Sequence, residues 1–216
     1  MSHRFLLKPL AAALLVCAAG ASHAAITVYT SMAAFNTATS ARSTDTFAGL
    51  SITGSTPTPV VRTVGPYSYT ANATPAGLFF GGGTTADPFL STNTATDTIV
   101  FNAFTGGVRA VGGNFFGSDV SGAYAAGGIT ITATDASGTV TQTLAAPTQS
   151  SFLGFVSTGA MTSVTVVSIQ PLSGFLWPSV DNLVLASAVA VPEPGTYGLM
   201  FAGLGIVGLV ARRRRG

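Results

Sequence analysis

Short stretches of alternating polar and apolar residues recur between residues 26 and 185. Ile26–Tyr29 and Tyr67–Thr70 are two examples, and Ile129–Thr134 is the clearest, with threonine at every second position. Alternation with a period of two is typical of strands that bury one face. The same pattern predicts strands at Thr98–Phe101, Arg109–Phe116, Val140–Leu144, Phe152–Ser157, Val164–Ile169 and Val180–Leu185. The chain is therefore expected to be rich in short strands.

Turn-forming residues separate these stretches. Asp135–Gly138 predicts a hairpin loop between two strands, Asp45–Phe47 is typical of a strand start, and Leu50–Pro66 is rich in Pro, Ser and Thr and is expected to be a loop. Ser31–Ala38 predicts one short helix that is capped by its serine. Regular short strands with Gly, Ser and Asp turns favour an all-β fold, an antiparallel sandwich of two sheets.

The pattern changes completely after residue 191. Pro192, Glu193 and Pro194 are followed by an uncharged apolar run at 195–211 and then by Arg212, Arg213, Arg214 and Arg215. The prolines favour an extended, accessible segment. A helix over 195–211 would be about 25 Å long, close to the thickness of a bilayer core. The arginines are typical of a cytoplasmic stop, so this run is predicted to be a transmembrane helix.

The first residues predict export. A basic start, the apolar run Leu10–Ala19 and the small residues Ser22 and Ala24 have the order of a secretory signal peptide. We place this peptide at residues 1–24, with cleavage by signal peptidase between Ala24 and Ala25. Cys17 is then lost with the peptide.

The C-terminal order of Pro-Glu-Pro, apolar run and arginines resembles the sorting signal of PEP-CTERM proteins, the substrates of exosortases. Val111–Gly117, Gly154–Val156 and Val180–Val184 are similar to a pattern that recurs in the exported domains of these proteins. The resemblance implies a jelly-roll-like ectodomain, here residues 25–187, followed by a sorting signal at 188–216. It also implies passage through the inner membrane, transient anchoring, and a final place at the cell surface or outside the cell, associated with exopolysaccharide or biofilm.

The charged residues of the exported part exclude several functions. Between residues 25 and 191 there are three arginines and six aspartates, a net charge of −3, and no Lys, Glu, His or Cys. A basic surface for nucleic acid is absent. A Ser-His-Asp triad, a cysteine nucleophile, a zinc site with His or Cys ligands and a disulfide are excluded as well. We therefore expect no enzyme activity, and a hydrolase built on paired aspartates is the least favoured alternative.

Asp181 is the candidate metal ligand. It lies with Asn182 in the predicted last strand, and its carboxylate could help to hold Ca²⁺ together with Asp45 and Asp119. The alternative is that Asp181 caps a turn or accepts a backbone hydrogen bond at a strand end. No other cofactor is expected.

Aromatic side chains offer a second candidate site. Trp177, Tyr67, Tyr69 and Tyr124 could stack on sugar rings, although the position of Trp177 beside Phe175 and Leu176 favours a place in the core. Two functions thus stay open for the ectodomain: a non-catalytic envelope or extracellular-matrix protein, or a lectin-like module that binds exopolysaccharide, with or without calcium.

Overall fold

Alternating burial along the strands shows how the chain divides its side chains between a core and a surface. In Tyr67–Thr74 every second side chain is buried, and Ile129–Asp135 repeats this pattern. These observations come from a computed structural model that describes residues 25–189 together with residues 203 and 204. Residues 25–189 belong to one compact unit. Among the described residues, no helix is long and apolar enough to cross a membrane.

The predicted targeting segments lie outside the described residues. These are the signal peptide at 1–24 with Ala24 at its cleavage site, the transmembrane helix at 195–211 apart from residues 203 and 204, and the sorting residues Pro192, Glu193, Pro194, Arg212, Arg213, Arg214 and Arg215.

Strands dominate residues 25–189. The helix in this range is α1 (Met32–Ala38). The strands are β1 (Ile26–Tyr29), β2 (Thr39–Asp45), β3 (Ser55–Pro57), β4 (Val60–Val64), β5 (Tyr67–Thr74), β6 (Leu78–Phe80), β7 (Gly82–Gly83), β8 (Pro88–Ser91), β9 (Thr98–Thr105), β10 (Ala110–Ser118), β11 (Tyr124–Ala125), β12 (Ile129–Asp135), β13 (Thr139–Leu144), β14 (Phe152–Ser157), β15 (Met161–Ser168) and β16 (Trp177–Ala188). The expected all-β, antiparallel class is confirmed.

Two antiparallel sheets make up most of the fold. Sheet I has the order β1-β14-β10-β16-β8-β7, with β2 also on β16 and β11 on β10. Sheet II has the order β13-β12-β15-β9-β5-β4, and β3 and β6 form a separate pair. Eight of the strands pair in a nested order: β8, β9, β10, β12, β13, β14, β15 and β16. Within this series the outermost strands pair with each other (β8 with β16), then the next two inward (β9 with β15), then β10 with β14, and finally the middle two, β12 with β13. This nested pairing defines a jelly roll.

The main core lies between the two sheets. Val111, Phe155 and Leu185 from sheet I and Ile99 and Ile131 from sheet II belong to one cluster of buried side chains. On β16, neighbouring residues point in opposite directions, since Leu183 and Leu185 enter this cluster whereas Val184 and Ala186 enter a second one. The two sheets are therefore sandwiched over a shared apolar layer.

Helix α1 covers part of the outer face of sheet I. The Ser31 side chain accepts a hydrogen bond from the Ala34 N–H, as an N-cap should, so the predicted capped helix is confirmed. Phe35 is fully buried in the second cluster, with its ring 5.4 Å from that of Phe152 in an edge-to-face arrangement. A side chain at Gly154 would collide with the Phe35 ring, so glycine makes room for the helix.

Two local predictions are wrong. Asp45 ends β2 instead of starting a strand, because its carboxylate accepts a hydrogen bond from the Phe47 N–H and turns the chain there. The expected loop at Leu50–Pro66 contains β3 and β4. In β4 the half-buried and exposed residues alternate, and the strand lies at the edge of sheet II.

Candidate ligand-binding site

A pocket of about 110 Å³ lies where β8, β10 and β16 end or begin on one side of sheet I. Ser91 is the last residue of β8, Ser118 is the last of β10 and Trp177 is the first of β16. The remaining lining comes from β6 and two loops: Phe80, Thr92, Asn93, Asp119, Val120 and Gly122. The pocket thus has a floor provided by strand ends and a rim provided by loops.

A cluster of three buried serines forms and supports the floor. Ser91 lies on β8 and Ser118 on β10, the two strands that flank β16 here, and Ser179 lies between them on β16. The Ser179 Oγ lies 2.8 Å from the Ser118 Oγ, and the Ser91 and Ser118 hydroxyls are 3.2 Å apart. Ser91 also donates to the Pro178 carbonyl at 3.0 Å. Their strand neighbours Leu90 and Val180 enter the main core, so the serines lie on the opposite face of sheet I.

Asp119 stands at the rim and organises its own loop. Its Oδ1 accepts hydrogen bonds from the Ser121 hydroxyl at 2.6 Å, from the Ser121 N–H at 2.8 Å and from the Ala123 N–H at 3.0 Å. These bonds, led by the one from the Ser121 hydroxyl, lower the pKa of Asp119, so its half-buried carboxylate is ionised at neutral pH. The hydrogen bonds within the described chain leave its Oδ2 free.

Trp177 lines the pocket, which corrects the expectation that it belongs to the core. Its side chain is half-buried, the indole N–H donates to the Asn93 carbonyl at 3.4 Å, and the ring meets Phe175 edge to face at 6.2 Å. Phe175 is 66% exposed, whereas Leu176 is in the main core. The chain alternates here, so only Leu176 of the three points inward.

The three tyrosines are not part of this pocket. Tyr67 and Tyr69 are buried in the main core, each 1% exposed, so they cannot stack on a sugar. Tyr124 is exposed, and its hydroxyl donates to the Pro147 carbonyl at 3.0 Å.

Asp45 belongs to a structural ion pair. Its carboxylate accepts two hydrogen bonds from Arg62, at 2.6 and 2.7 Å, one from the Tyr69 hydroxyl at 2.8 Å and one from the Phe47 N–H at 2.8 Å. Burial alone would raise the pKa of Asp45, but the hydrogen bonds from Arg62 and Tyr69 and the arginine charge outweigh burial and lower it. Burial next to this carboxylate raises the pKa of Tyr69.

Asp181 lies at a bulge in β16. Its two carboxylate oxygens accept from the backbone N–H and the side-chain amide of Asn182, at 2.7 and 2.8 Å, and Asn182 has a positive φ of 50°. Burial, together with the nearby charge of Asp87, raises the pKa of Asp181. The charge that acts on Asp181 is that of Asp87, and Asp181, Asp45 and Asp119 do not gather into one site as the calcium hypothesis proposed.

Within the part of the chain that the structure describes, no three His, Cys, Asp or Glu side chains gather as a metal site would require. Asp97 is 1% exposed, and its Oδ2 has no hydrogen-bond partner among these residues. Its Oδ1 accepts a hydrogen bond of 3.3 Å from the Ala76 N–H.

The serines of the floor were not predicted from the sequence. Ser91 and Pro178 are 87 positions apart in the chain, and Ser118 lies 27 positions after Ser91 and 61 positions before Ser179. Serine is common in this sequence, so no composition or spacing marks these three. Their apolar neighbours were a weak signal, because a serine that alternates with core residues in a strand must face the other side.

The comparisons with known proteins identify the C-terminal segment. Residues 190–215 match the family described as a PEP-CTERM protein-sorting motif. The chain thus carries this sorting motif, and the predicted sorting residues Pro192, Glu193, Pro194 and Arg212–Arg215 fall inside the match. The motif implies export, processing by an exosortase and sorting to the membrane or the cell surface. No curated protein and no solved structure matches the chain.

Proposed function

We propose that this protein is a non-catalytic component of the cell envelope or extracellular matrix, delivered by its C-terminal motif and associated with exopolysaccharide or biofilm. The match of residues 190–215 to the sorting motif carries this proposal. Signal peptidase cuts between Ala24 and Ala25, and the helix at 195–211 then holds the chain in the membrane with Arg212–Arg215 on the cytoplasmic side. Exosortase acts at Pro192-Glu193-Pro194, in an extended segment beside the membrane.

Two observations support the absence of catalysis. Residues 25–191 contain no His and no Cys, which removes an imidazole base and a thiolate nucleophile. Asp45, Asp119 and Asp135 each accept at least three hydrogen bonds from the chain itself. Asp45 and Asp135 therefore serve structure, and Asp119 holds its own loop through one oxygen, which weakens the hydrolase alternative.

Replacing Pro192, Glu193 and Pro194 together by alanine tests the sorting proposal. The variant should stay in the inner membrane at the mass of residues 25–216, whereas the unmodified protein should lose its tail. Fractionation and intact-mass measurement report both results. Val191→Ala, next to the motif, is the matched control and should be processed normally. Normal release and normal mass of the triple variant would refute exosortase processing and leave a plain anchor.

Replacing Arg212–Arg215 by glutamine tests the role of the basic end. The loss of four positive charges should weaken the stop and the orientation signal, so a fraction of the chains should pass fully through the membrane. Protease protection of the C terminus measures this fraction. Unchanged topology with impaired processing would assign the arginines to recognition by the enzyme alone.

The pocket beside Trp177 favours a second function, binding of carbohydrate. Buried hydroxyls in the floor together with an aromatic ring and a carboxylate at the rim are the groups that a sugar requires, an apolar surface for its C–H groups and polar atoms for its hydroxyls. In this proposal the ectodomain is a lectin-like module that holds exopolysaccharide. Co-sedimentation with the polysaccharide of the producing cells tests it, with and without a calcium chelator, and Trp177→Ala should abolish co-sedimentation.

A further inference from the structure

The direction of the hydrogen bonds in the serine cluster limits what the pocket can bind. A backbone carbonyl can only accept, so the proton of Ser91 goes to the Pro178 carbonyl. The single proton of Ser179 goes to Ser118 at 2.8 Å and is shared with Ser91 at 3.3 Å, and the bond between Ser118 and Ser91 then takes the proton of Ser118. All three hydroxyl protons are used within the cluster. Ser91 accepts from both other serines, whereas Ser118 accepts from Ser179 alone, so what the cluster still offers to the pocket is a lone pair of Ser118.

Except for the Asn93 amide, the other polar side chains at the pocket are acceptors too, or have already used their donors. The Oδ2 of Asp119 accepts only, since the carboxylate is ionised. The indole N–H of Trp177 is bound to the Asn93 carbonyl, and the Thr92 hydroxyl donates to the Thr94 carbonyl. The Asn93 amide is the side-chain donor that remains among the described lining residues. These lining residues include one carboxylate and no Lys, Arg or His.

We infer that the pocket selects a single non-acidic sugar unit that donates hydroxyl protons to Ser118 and Asp119 and lays its C–H face on Trp177. This inference rests on the proposed carbohydrate-binding function. A pocket of about 110 Å³ admits one ring at most, which fits the end or one unit of a chain. An acidic sugar is rejected, because its carboxylate would face the carboxylate of Asp119 and the serine oxygens. The described lining offers it no cation and only the Asn93 amide as a side-chain donor.

Titration of the full-length protein with methyl glycosides tests this selectivity. A detergent without a sugar head group keeps the protein in solution, and ligand-observed NMR gives the Kd. The methyl glycoside of glucose should bind with a Kd of about 1 mM. The glycoside of glucuronic acid, which differs by a carboxylate, should bind at least about tenfold more weakly at pH 7.

Asp119→Asn separates the charge from the fold. The amide oxygen can still accept the loop's N–H bonds, but the free acceptor becomes a donor and the charge disappears. The variant should bind glucose more weakly and glucuronate more tightly, so the preference narrows or reverses. Asp87→Asn removes a carboxylate that does not line the pocket and is the matched control, expected to leave both Kd values unchanged. Trp177→Phe keeps a ring and should retain part of the affinity that Trp177→Ala loses.

The outcomes separate the two levels of the proposal. If glucuronate binds as well as glucose, and Asp119→Asn changes neither, the selectivity is refuted while carbohydrate binding stands. If neither sugar binds at 50-fold the expected Kd, which is about 50 mM, or if the Trp177 and Asp119 variants leave the affinity for glucose unchanged, carbohydrate binding at this pocket is refuted as well.

Discussion

Asp45 joins three parts of the chain through one carboxylate, which holds Arg62, Tyr69 and the Phe47 N–H. Asp45→Asn leaves Arg62 without its charged partner, so the free energy of unfolding at pH 7 should fall by about 3 kcal/mol. Because the pKa of Asp45 is lowered in the folded state, its stabilisation is present above the unfolded pKa of about 3.9 and is lost as the pH falls through the folded pKa. Urea denaturation at several pH values measures both effects.

The acid-dependent part of this prediction needs a control. Asp87→Asn replaces an exposed aspartate whose carboxylate makes no hydrogen bond with the described residues, and it should change the stability at pH 7 by no more than about 0.5 kcal/mol. Below pH 4, Asp45→Asn should lose less further stability than the unmodified protein does. If Asp45→Asn and the unmodified protein lost the same amount of stability below pH 4, Asp45 would not control acid unfolding.

The contribution of Asp181 to stability depends on pH in the opposite direction to that of Asp45. Burial and the charge of Asp87 raise its pKa, so its contribution to stability is present below the unfolded pKa of about 3.9 and is lost as the pH rises through the folded pKa. Asp181→Asn should therefore increase the free energy of unfolding at pH 7 by up to about 1 kcal/mol and have little effect near pH 3. A calcium-dependent rise in melting temperature that the variant abolishes would instead make Asp181 a metal ligand, worth about 2.7 kcal/mol at a hundredfold excess over Kd.

At the scale of the elements, regular alternation and turn chemistry were enough to locate the long strands. Phe152–Ser157 is β14 to the residue, and Asp135–Gly138 is the β12–β13 turn, closed by the bond from the Asp135 N–H to the Gly138 carbonyl. β4 was missed because Val61, exposed on its outer side, hides the alternation. The pocket was not predictable, since it depends on β8 and β16 becoming neighbours from distant parts of the chain.

The contact of α1 with sheet I depends on one aromatic ring over one glycine. Phe35→Ala should lower the free energy of unfolding by about 3–5 kcal/mol, because it leaves a cavity beside Phe152. Gly154→Ala should cost about 1–3 kcal/mol in the unmodified protein, since the new methyl group would lie 2.4 Å from the Phe35 ring. In the Phe35→Ala background the same change should cost much less, and urea denaturation of the four proteins gives the coupling.

Gly138→Ala is the matched control for this cycle, because the β12–β13 turn has open space at that position. It should change the stability by no more than about 0.5 kcal/mol. Strictly additive effects of the Phe35 and Gly154 substitutions would mean that the two residues do not share the contact that the structure shows.

At the scale of the whole molecule, β16 connects the fold to the sorting motif. This strand pairs with β10, β2 and β8, so it lies inside sheet I although it comes last in the described domain. Only residues 189–191 separate its end at Ala188 from Pro192. Processing at the motif can therefore remove the tail without removing any strand.

This arrangement predicts a sharp boundary for truncation. A chain of residues 25–191 should unfold cooperatively at the same urea midpoint as residues 25–216 in the same detergent, with or without a reductant, because no Cys remains. A chain that ends at Gly174 loses β16, and with it the strand between β10 and β8, so it should not fold. Circular dichroism should show β-structure in residues 25–191 and in residues 25–216, but not in the chain that ends at Gly174. If residues 25–191 were less stable than the longer chain by more than about 1 kcal/mol, residues 192–216 would contribute to the stability of the fold.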